Sequence, residues 1–228
     1  PKFFEDLKED LEHVEYFEFT GGEPFMIKDH FKILMHCVEK GYAKNQDIHY
    51  NTNGTQLPPP EIFDLWSYFK KVEIAFSIDD VGEQFQYQRY PANWRQVGSN
   101  LVKFKERKTP NMQFQICTTV SIFNIFSLAK INFWVKQYQP DFFYVNTLFD
   151  PDYFNIQTLP KNVKNIVNTR YSMLTDFKPT LRFMNSVDRD SPQTRKQRSD
   201  RVLQTDAYRH ENFGEMFPLL NKVLQIYE

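Results

Sequence analysis

Residues 14–25, VEYFEFTGGEPF, contain the transition that decides the fold. The first half alternates apolar and polar side chains and predicts a β-strand, and a helical pattern follows the loop. Gly21 and Gly22 permit positive φ and leave main-chain carbonyls bare, while Pro24 stiffens the exit. A tight turn alone would explain the two glycines, but the loop also presents the carboxylate of Glu23 at the end of a strand.

Strand and helix patterns then alternate along the chain. Further strands are predicted at 47–51, 71–79, 112–122 and 142–148. Helices are predicted at 2–12, 28–40, after the prolines at 58–60, and at 94–107, 127–138, 161–175 and 213–226. Strict alternation implies an α/β fold with parallel strands and right-handed crossovers. Ligands of such sheets bind at the carboxyl ends of the strands, where the loops converge.

The composition limits the class of protein. With 228 residues, 41% hydrophobic and 25% charged, the chain is large enough for one globular domain with a buried core. Aromatic residues make up 17%, which predicts a core filled with rings. A net charge of −1 does not favour nucleic acid or an anionic membrane surface as a general partner. Without an apolar run of about 20 residues or a secretory signal pattern, we expect a cytoplasmic protein.

Glycines and polar residues concentrate at the predicted strand ends. Four of the seven glycines lie there: Gly21, Gly22, Gly54 and Gly82. The polar residues at these ends are Thr20, Glu23, Asn51, Asn53, Ser77, Asp79, Thr119, Ser121, Asn124 and Asn146. This concentration points to a ligand that touches the backbone. By contrast, the charged run at 188–201 mixes both signs and predicts a solvated helix face.

Four motifs in this order resemble the radical S-adenosylmethionine (SAM) enzymes: FTGGEP, YNTNG, FSIDDVGEQFQYQRY and TTVSIFNI. The resemblance covers about residues 2–150 and is closest to the group with a SPASM or twitch type extension. It implies a partial (β/α)6 TIM-like barrel at 1–150 that lacks the first strand, and a C-terminal helical extension at 151–228 packed on it. The implied cofactors are SAM and a [4Fe-4S] cluster. The implied partners are a peptide or small-molecule substrate and a reductant such as flavodoxin or ferredoxin.

The same resemblance implies that the GGEP loop takes the amino group of SAM. Carbonyls of Gly21 and Gly22 and the carboxylate of Glu23 would accept its hydrogen bonds, with Pro24 completing the loop. An ammonium needs several acceptors in fixed places, and this loop offers them.

Residues at the later strand ends would hold the rest of SAM. Ser77 and Asp79, predicted on one strand face, would meet the ribose hydroxyls or the methionine carboxylate. Arg89 would pair with that carboxylate through two parallel hydrogen bonds. Further candidates for SAM contact are Thr52, Asn53 and Asn124, with Val120 at the adenine.

The chain departs from the family in one respect: it contains no CxxxCxxC motif. Its two cysteines, Cys37 and Cys117, lie in separate predicted elements and cannot hold the cluster unaided. Either the sequence is an N-terminally truncated part of a longer enzyme, which its start at Pro1 favours, or it is a degenerate barrel that binds without reacting. In the intact enzyme, reductive cleavage of SAM would give a 5′-deoxyadenosyl radical that abstracts hydrogen from a substrate.

Two alternative functions remain open at this stage. The first is a non-catalytic binding or partner protein that retains the barrel scaffold. The second is a barrel hydrolase in which Glu23 and Asp79 act as acid and base, as paired carboxylates do in glycosidases.

Overall fold

Five parallel strands form one sheet in sequence order. The computed structural model describes residues 2–227 of the chain and the side chains of 4–227. The strands are β1 (Tyr16–Phe19), β2 (Asp47–Thr52), β3 (Lys71–Ser77), β4 (Met112–Val120) and β5 (Phe142–Thr147). In the register, Phe19 pairs with Tyr50 and Thr52 pairs with Phe76. The predicted α/β class and parallel sheet are therefore confirmed.

The helices of the first half follow the predicted alternation. They are α1 (Lys2–Leu7), α2 (Asp29–Glu39), α3 (Pro60–Trp66), α4 (Glu83–Gln88), α5 (Trp94–Arg107) and α6 (Leu128–Tyr138). Helix α4 was not predicted, because EQFQYQ is short and lies in a polar stretch that reads as a loop. Strand β3 ends at Ser77, so Asp79 lies beyond the strand and not on its face. That part of the prediction was wrong.

The remaining helices are α7 (Lys161–Tyr171), α8 (Lys178–Ser186), α9 (Pro192–Arg209), α10 (Phe213–Met216) and α11 (Pro218–Leu224). The single helix predicted at 213–226 was wrong. It is interrupted at Phe217, because Pro218 has no amide hydrogen and its ring excludes a helix-interior position. Helix α8 was also missed. Within residues 2–227, no helix has the length and apolarity that crossing a membrane requires.

The chain divides into two compact, interleaved units. Unit 1 comprises the described residues through Ser77, with Ala92–Ile116 and Pro140–Phe143. Unit 2 comprises Ile78–Pro91, Cys117–Gln139 and the described residues from Tyr144 onward. This division differs from the proposed core at 1–150 and extension at 151–228, which stays a prediction.

Aromatic rings fill the core of unit 1. Trp66 of α3 is fully buried, with its ring 5.8 Å from that of Phe25 and 5.3 Å from that of Tyr50. Phe63 lies 5.3 Å from Trp66 and 5.7 Å from Phe104 of α5. Such offset and edge-on pairs are favourable beyond the area that they bury. The ring-filled core predicted from composition is confirmed here.

Helix α9 anchors unit 2 through a buried guanidinium. Arg198 is 2% exposed and donates hydrogen bonds to the carbonyls of Tyr153 and Thr158 at 3.1 and 2.9 Å and to the Thr158 hydroxyl at 2.8 Å. Burial lowers the pKa of Arg198 to about 10. The expectation of a uniformly solvated helix face at 188–201 is therefore wrong at this residue, because its donors satisfy carbonyls of an irregular segment.

Asp206 of α9 is a second buried anchor in unit 2. Its carboxylate accepts hydrogen bonds from the hydroxyls of Tyr87 and Tyr227, each at 2.7 Å, and from the amide of Phe213 at 2.6 Å. These donors come from α4, from the last described residue and from the start of α10. One side chain of α9 thus joins α4, more than 100 residues away, to the start of α10 and to the end of the described chain.

Candidate functional site

The loop after β1 has the backbone conformation that its glycines predict. Gly21 and Gly22 adopt φ values of +82° and +54°. A Cβ added at either position would have no heavy atom within 4 Å. Glycine is therefore required by the left-handed conformation and not by crowding, and the space beside both residues is open.

Glu23 follows these glycines, and its carboxylate is buried at 7% exposure. The Thr52 hydroxyl donates to its two oxygens at 2.8 and 2.9 Å, and the amide of Asn53 donates at 2.9 Å. The amide of Phe25 adds a longer bond of 3.3 Å. We call these groups the Glu23 cluster. It joins the loops after β1 and β2, so Thr52 and Asn53 are brought together with Glu23 as neighbours in one site.

The electrostatics of Glu23 are unusual for a carboxylate. Burial raises its pKa, and the hydrogen bonds from Thr52, Asn53 and Phe25 offset part of that rise. No Lys, Arg or His among the described side chains, those of residues 4–227, forms an ion pair with it. A buried anion is stabilised by hydrogen bonds and by a countercharge, and here only the hydrogen bonds are present. The cluster is therefore suited to a cationic group supplied by a ligand.

The loop after β2 is held by hydrogen bonds and packing contacts with other residues of unit 1. The Thr52 hydroxyl accepts a bond from the amide of Gly54 at 3.0 Å, and Asn100 of α5 donates to the Gly54 carbonyl at 2.8 Å. Gly54 has φ +75°, and a Cβ there would lie 3.1 Å from Val97 and 3.2 Å from Phe76. Close packing and backbone conformation both require glycine at this position. The donors to Glu23 are consequently held in place by the core.

A second cluster, the Asp79 cluster, lies in unit 2. Nε and Nη2 of Arg89 each approach Oδ2 of Asp79 to 2.7 Å, and the amide of Thr119 donates to Oδ1 at 2.8 Å. Two side chains predicted to contact SAM are thus partners of each other. Their roles toward SAM stay predictions, and Arg89 retains 25% exposure of its side chain.

Asn124 completes the Asp79 cluster from below the surface. It is fully buried, and its Nδ2 donates to the carbonyls of Asp79 and Thr119 at 2.6 and 2.9 Å. Its Oδ1 accepts from the amide of Ser121 at 2.9 Å. The whole amide is engaged with the main chain, so its position supports the loop geometry. Its proposed contact with SAM stays a prediction.

The other predicted site residues lie where the sequence places them. Val120 is the last residue of β4 and is fully buried. Ser77 is the last residue of β3 and is half-buried, and Pro24 is buried at the start of a short 3-10 turn. Their predicted contacts with SAM stay predictions.

Unit 2 also contains a cavity of about 320 Å³, whose wall combines strand-end residues that the sequence indicated with residues of α9 that it did not. Asp79 and Thr119 lie in its wall, together with Arg201, Thr205 and Arg209 of α9. For the three α9 residues the sequence offered one signal, their spacing: they are four apart and therefore lie on one helix face. The charged run at 188–201, which predicts a solvated helix face, ends at Arg201.

The described residues do not fit an iron–sulfur cluster. Among the side chains that the structure describes, no group of three or more from His, Cys, Asp or Glu is placed to hold a metal. Cys37 lies in unit 1 and Cys117 in unit 2, and both are buried. Burial raises the pKa of both thiols, that of Cys37 to about 11, which opposes the thiolate form that binds iron.

The sequence matches no known family profile and no curated protein. Solved structures do show the same fold, and these structural neighbours are radical SAM enzymes. One is anSMEcpe with bound AdoMet and Cp18Cys peptide: 21% identity, TM-score 0.53, covering 78% of this chain and 53% of that one. Another is Streptococcus suis SuiB bound to S-adenosylmethionine: 13% identity, TM-score 0.52, covering 76% and 41%. The chain thus spans about half of the first structure's length and 41% of the second's.

Proposed function

We propose that this chain is the SAM-binding part of a radical SAM enzyme. The observation that carries the proposal is the Glu23 cluster: a buried, hydrogen-bonded carboxylate without a countercharge among the side chains of residues 4–227, beside two glycines with open space. The fold shared with AdoMet-bound structures supports it.

In this proposal the ammonium of SAM supplies the missing positive charge. Glu23 and the carbonyls of Gly21 and Gly22 accept its hydrogen bonds. Thr52 and Asn53 act mainly as positioning residues, because their donors already bind the carboxylate. An ammonium has three hydrogens to donate, and a charged pair of this kind forms strong hydrogen bonds.

Bound SAM would supply the sulfonium group on which radical SAM chemistry depends. We propose radical generation and hydrogen abstraction for the intact enzyme only. The residues described do not fit the [4Fe-4S] cluster, so its cysteines must come from outside these 228 residues. What this chain contributes is the binding and orientation of SAM and a site from which water is partly excluded.

The substrate and the reductant are part of the same proposal. Because one structural neighbour was solved with a bound peptide, we propose a peptide or small molecule as substrate. An electron donor such as flavodoxin or ferredoxin would serve the cluster.

Calorimetric titration of the protein with SAM tests the proposal, comparing Glu23→Gln with Glu18→Gln. Glu18 lies on β1 and is exposed, so it controls for the loss of one negative charge. A charge-assisted hydrogen bond contributes about 1.5–3 kcal/mol, so Glu23→Gln should weaken SAM binding by roughly 10- to 100-fold. Glu18→Gln should bind like the wild type.

The proposal fails if the wild type does not bind SAM or if the two variants bind SAM equally well. The non-catalytic alternative is tested separately with a version carrying a CxxxCxxC segment. Iron uptake and SAM cleavage in that version would exclude it.

A further inference from the structure

The cavity in unit 2 has the character of a small-ligand site. Its volume of about 320 Å³ lies at the lower end of the range for such sites. Rings of Tyr87, Phe123 and Phe154 form an apolar wall, with Phe123 and Phe154 in edge contact at 4.7 Å. The lining also includes hydroxyls and charged groups.

The charged side belongs to α9. Arg201, Thr205 and Arg209 are spaced four residues apart and therefore lie along one face of that helix. Two guanidinium groups and a hydroxyl thus line the same cavity.

The two arginines differ in what they bind. Arg209 donates to the carbonyl of Tyr87 at 3.1 Å, stacks over the Tyr90 ring at 4.7 Å and lies 3.8 Å from Glu211. For the guanidinium of Arg201, no hydrogen bond, ion pair or ring contact occurs within the part of the chain whose side chains are described, residues 4–227. Arg201 is therefore free to bind a ligand.

The charge balance of the cavity selects the ligand. Asp79, the only acidic residue among the described lining residues, is neutralised by Arg89 and also binds the Thr119 amide. Arg209 has its partner in Glu211. Of the two lining arginines, only Arg201 has no partner among the described side chains 4–227, and the buried carboxylate of Asp206 already bonds the Tyr87 hydroxyl of the same wall, so a single negative charge suits the cavity better than a doubly charged phosphate. A planar guanidinium matches a carboxylate through two parallel hydrogen bonds.

We propose that this cavity binds an amino-acid-sized carboxylate as the substrate, with Arg201 on the carboxylate and the aromatic wall against its apolar part. Naming the ligand a substrate rests on the proposed function, whereas binding of the carboxylate does not.

Binding is measured by ligand-observed NMR with N-acetyl-L-phenylalanine as the probe and its C-terminal amide as the neutral comparison. The proteins are the wild type, Arg201→Gln and, as a matched control, Arg95→Gln, an exposed arginine of α5. The acid should bind the wild type and Arg95→Gln equally well. The amide should bind the wild type about tenfold or more weakly than the acid does, and the acid should bind Arg201→Gln more weakly by a similar factor.

Equal binding of acid and amide, no binding of the acid, or undiminished binding by Arg201→Gln would overturn the inference. A SAM titration separates the possible sources of the carboxylate. If Arg201→Gln loses SAM and SAM displaces the acid, the cavity holds the carboxylate of SAM and the substrate assignment is wrong. Acid binding without any SAM binding would instead defeat the proposed function and leave the carboxylate site standing.

Discussion

Replacing Thr52 with Val tests how the Glu23 cluster is held. The hydroxyl donates to both carboxylate oxygens and accepts from the Gly54 amide, and Val keeps the shape but removes these bonds. A hydrogen bond to a charged group contributes about 1.5–3 kcal/mol, and an orphaned buried amide costs about 1–3 kcal/mol. We expect the free energy of unfolding to fall by about 3 kcal/mol at neutral pH, a large share of a typical domain's stability.

The loss should depend on pH with a definite sign. Burial already raises the pKa of Glu23 above its ordinary value of 4.5, and the Thr52 bond offsets part of this rise. Without that bond the folded-state pKa rises further. The folded state then holds a proton that the unfolded state has released, so stability falls as pH rises from 4.5 through the raised value. Thr52→Val should therefore lose more stability above this window than at its lower end.

Urea unfolding followed by tryptophan fluorescence, at about pH 5 and about pH 8, measures both quantities. Thr55→Val is the matched control, because its hydroxyl bonds the neutral amide oxygen of Asn53 at 2.7 Å. A loss of about 1 kcal/mol without pH dependence is expected for it. Equal losses in the two variants, or a Thr52→Val loss that does not change with pH, would refute the conclusion that the Thr52 hydroxyl stabilises the ionised carboxylate of Glu23.

Two further substitutions test the loops. Gly54→Ala and Gly21→Ala both place alanine at positive φ, but only at Gly54 would the Cβ meet Val97 and Phe76. Thermal unfolding should therefore show Gly54→Ala to be less stable than Gly21→Ala by about 1–3 kcal/mol. Equal melting temperatures of the two variants would contradict the close packing at Gly54. Asn124→Ala leaves two carbonyls and one amide without their partner. Chemical denaturation should show a loss of about 2–4 kcal/mol, and a loss under about 1 kcal/mol would contradict its anchoring role.

Sequence patterns predicted those features that local chemistry determines. Helix α5 has the predicted bounds, Trp94–Arg107, because its apolar spacing is regular and Asn93 caps its first turn. The positive φ at Gly21 and Gly22 followed from the residue type. The position of Glu23 at a strand end followed from the β1 pattern, and the parallel sheet from the alternation of elements.

Features that depend on distant partners could not be predicted. The bond between Thr52 and Glu23 joins residues 29 apart in sequence, and no local pattern encodes it. Likewise, Arg198 resembles its charged neighbours in sequence, and its burial depends on carbonyls 40 and 45 residues away. The free guanidinium of Arg201 was hidden in the same run. Sequence alone therefore located the strand-end loops but not the hydrogen bonds and charges that define their chemistry.

The hydrogen bonds of Asp206 have a consequence for how unit 2 unfolds locally. The carboxylate of Asp206 accepts hydrogen bonds from Tyr87, Phe213 and Tyr227 together. Loss of any one of these donors would leave a buried anion without one of its hydrogen bonds. The three segments therefore gain little from detaching separately. Local unfolding of α4, the start of α10 and the last described residues should therefore occur as one cooperative event. The cavity wall that contains Tyr87 should unfold whenever the C-terminal segment does.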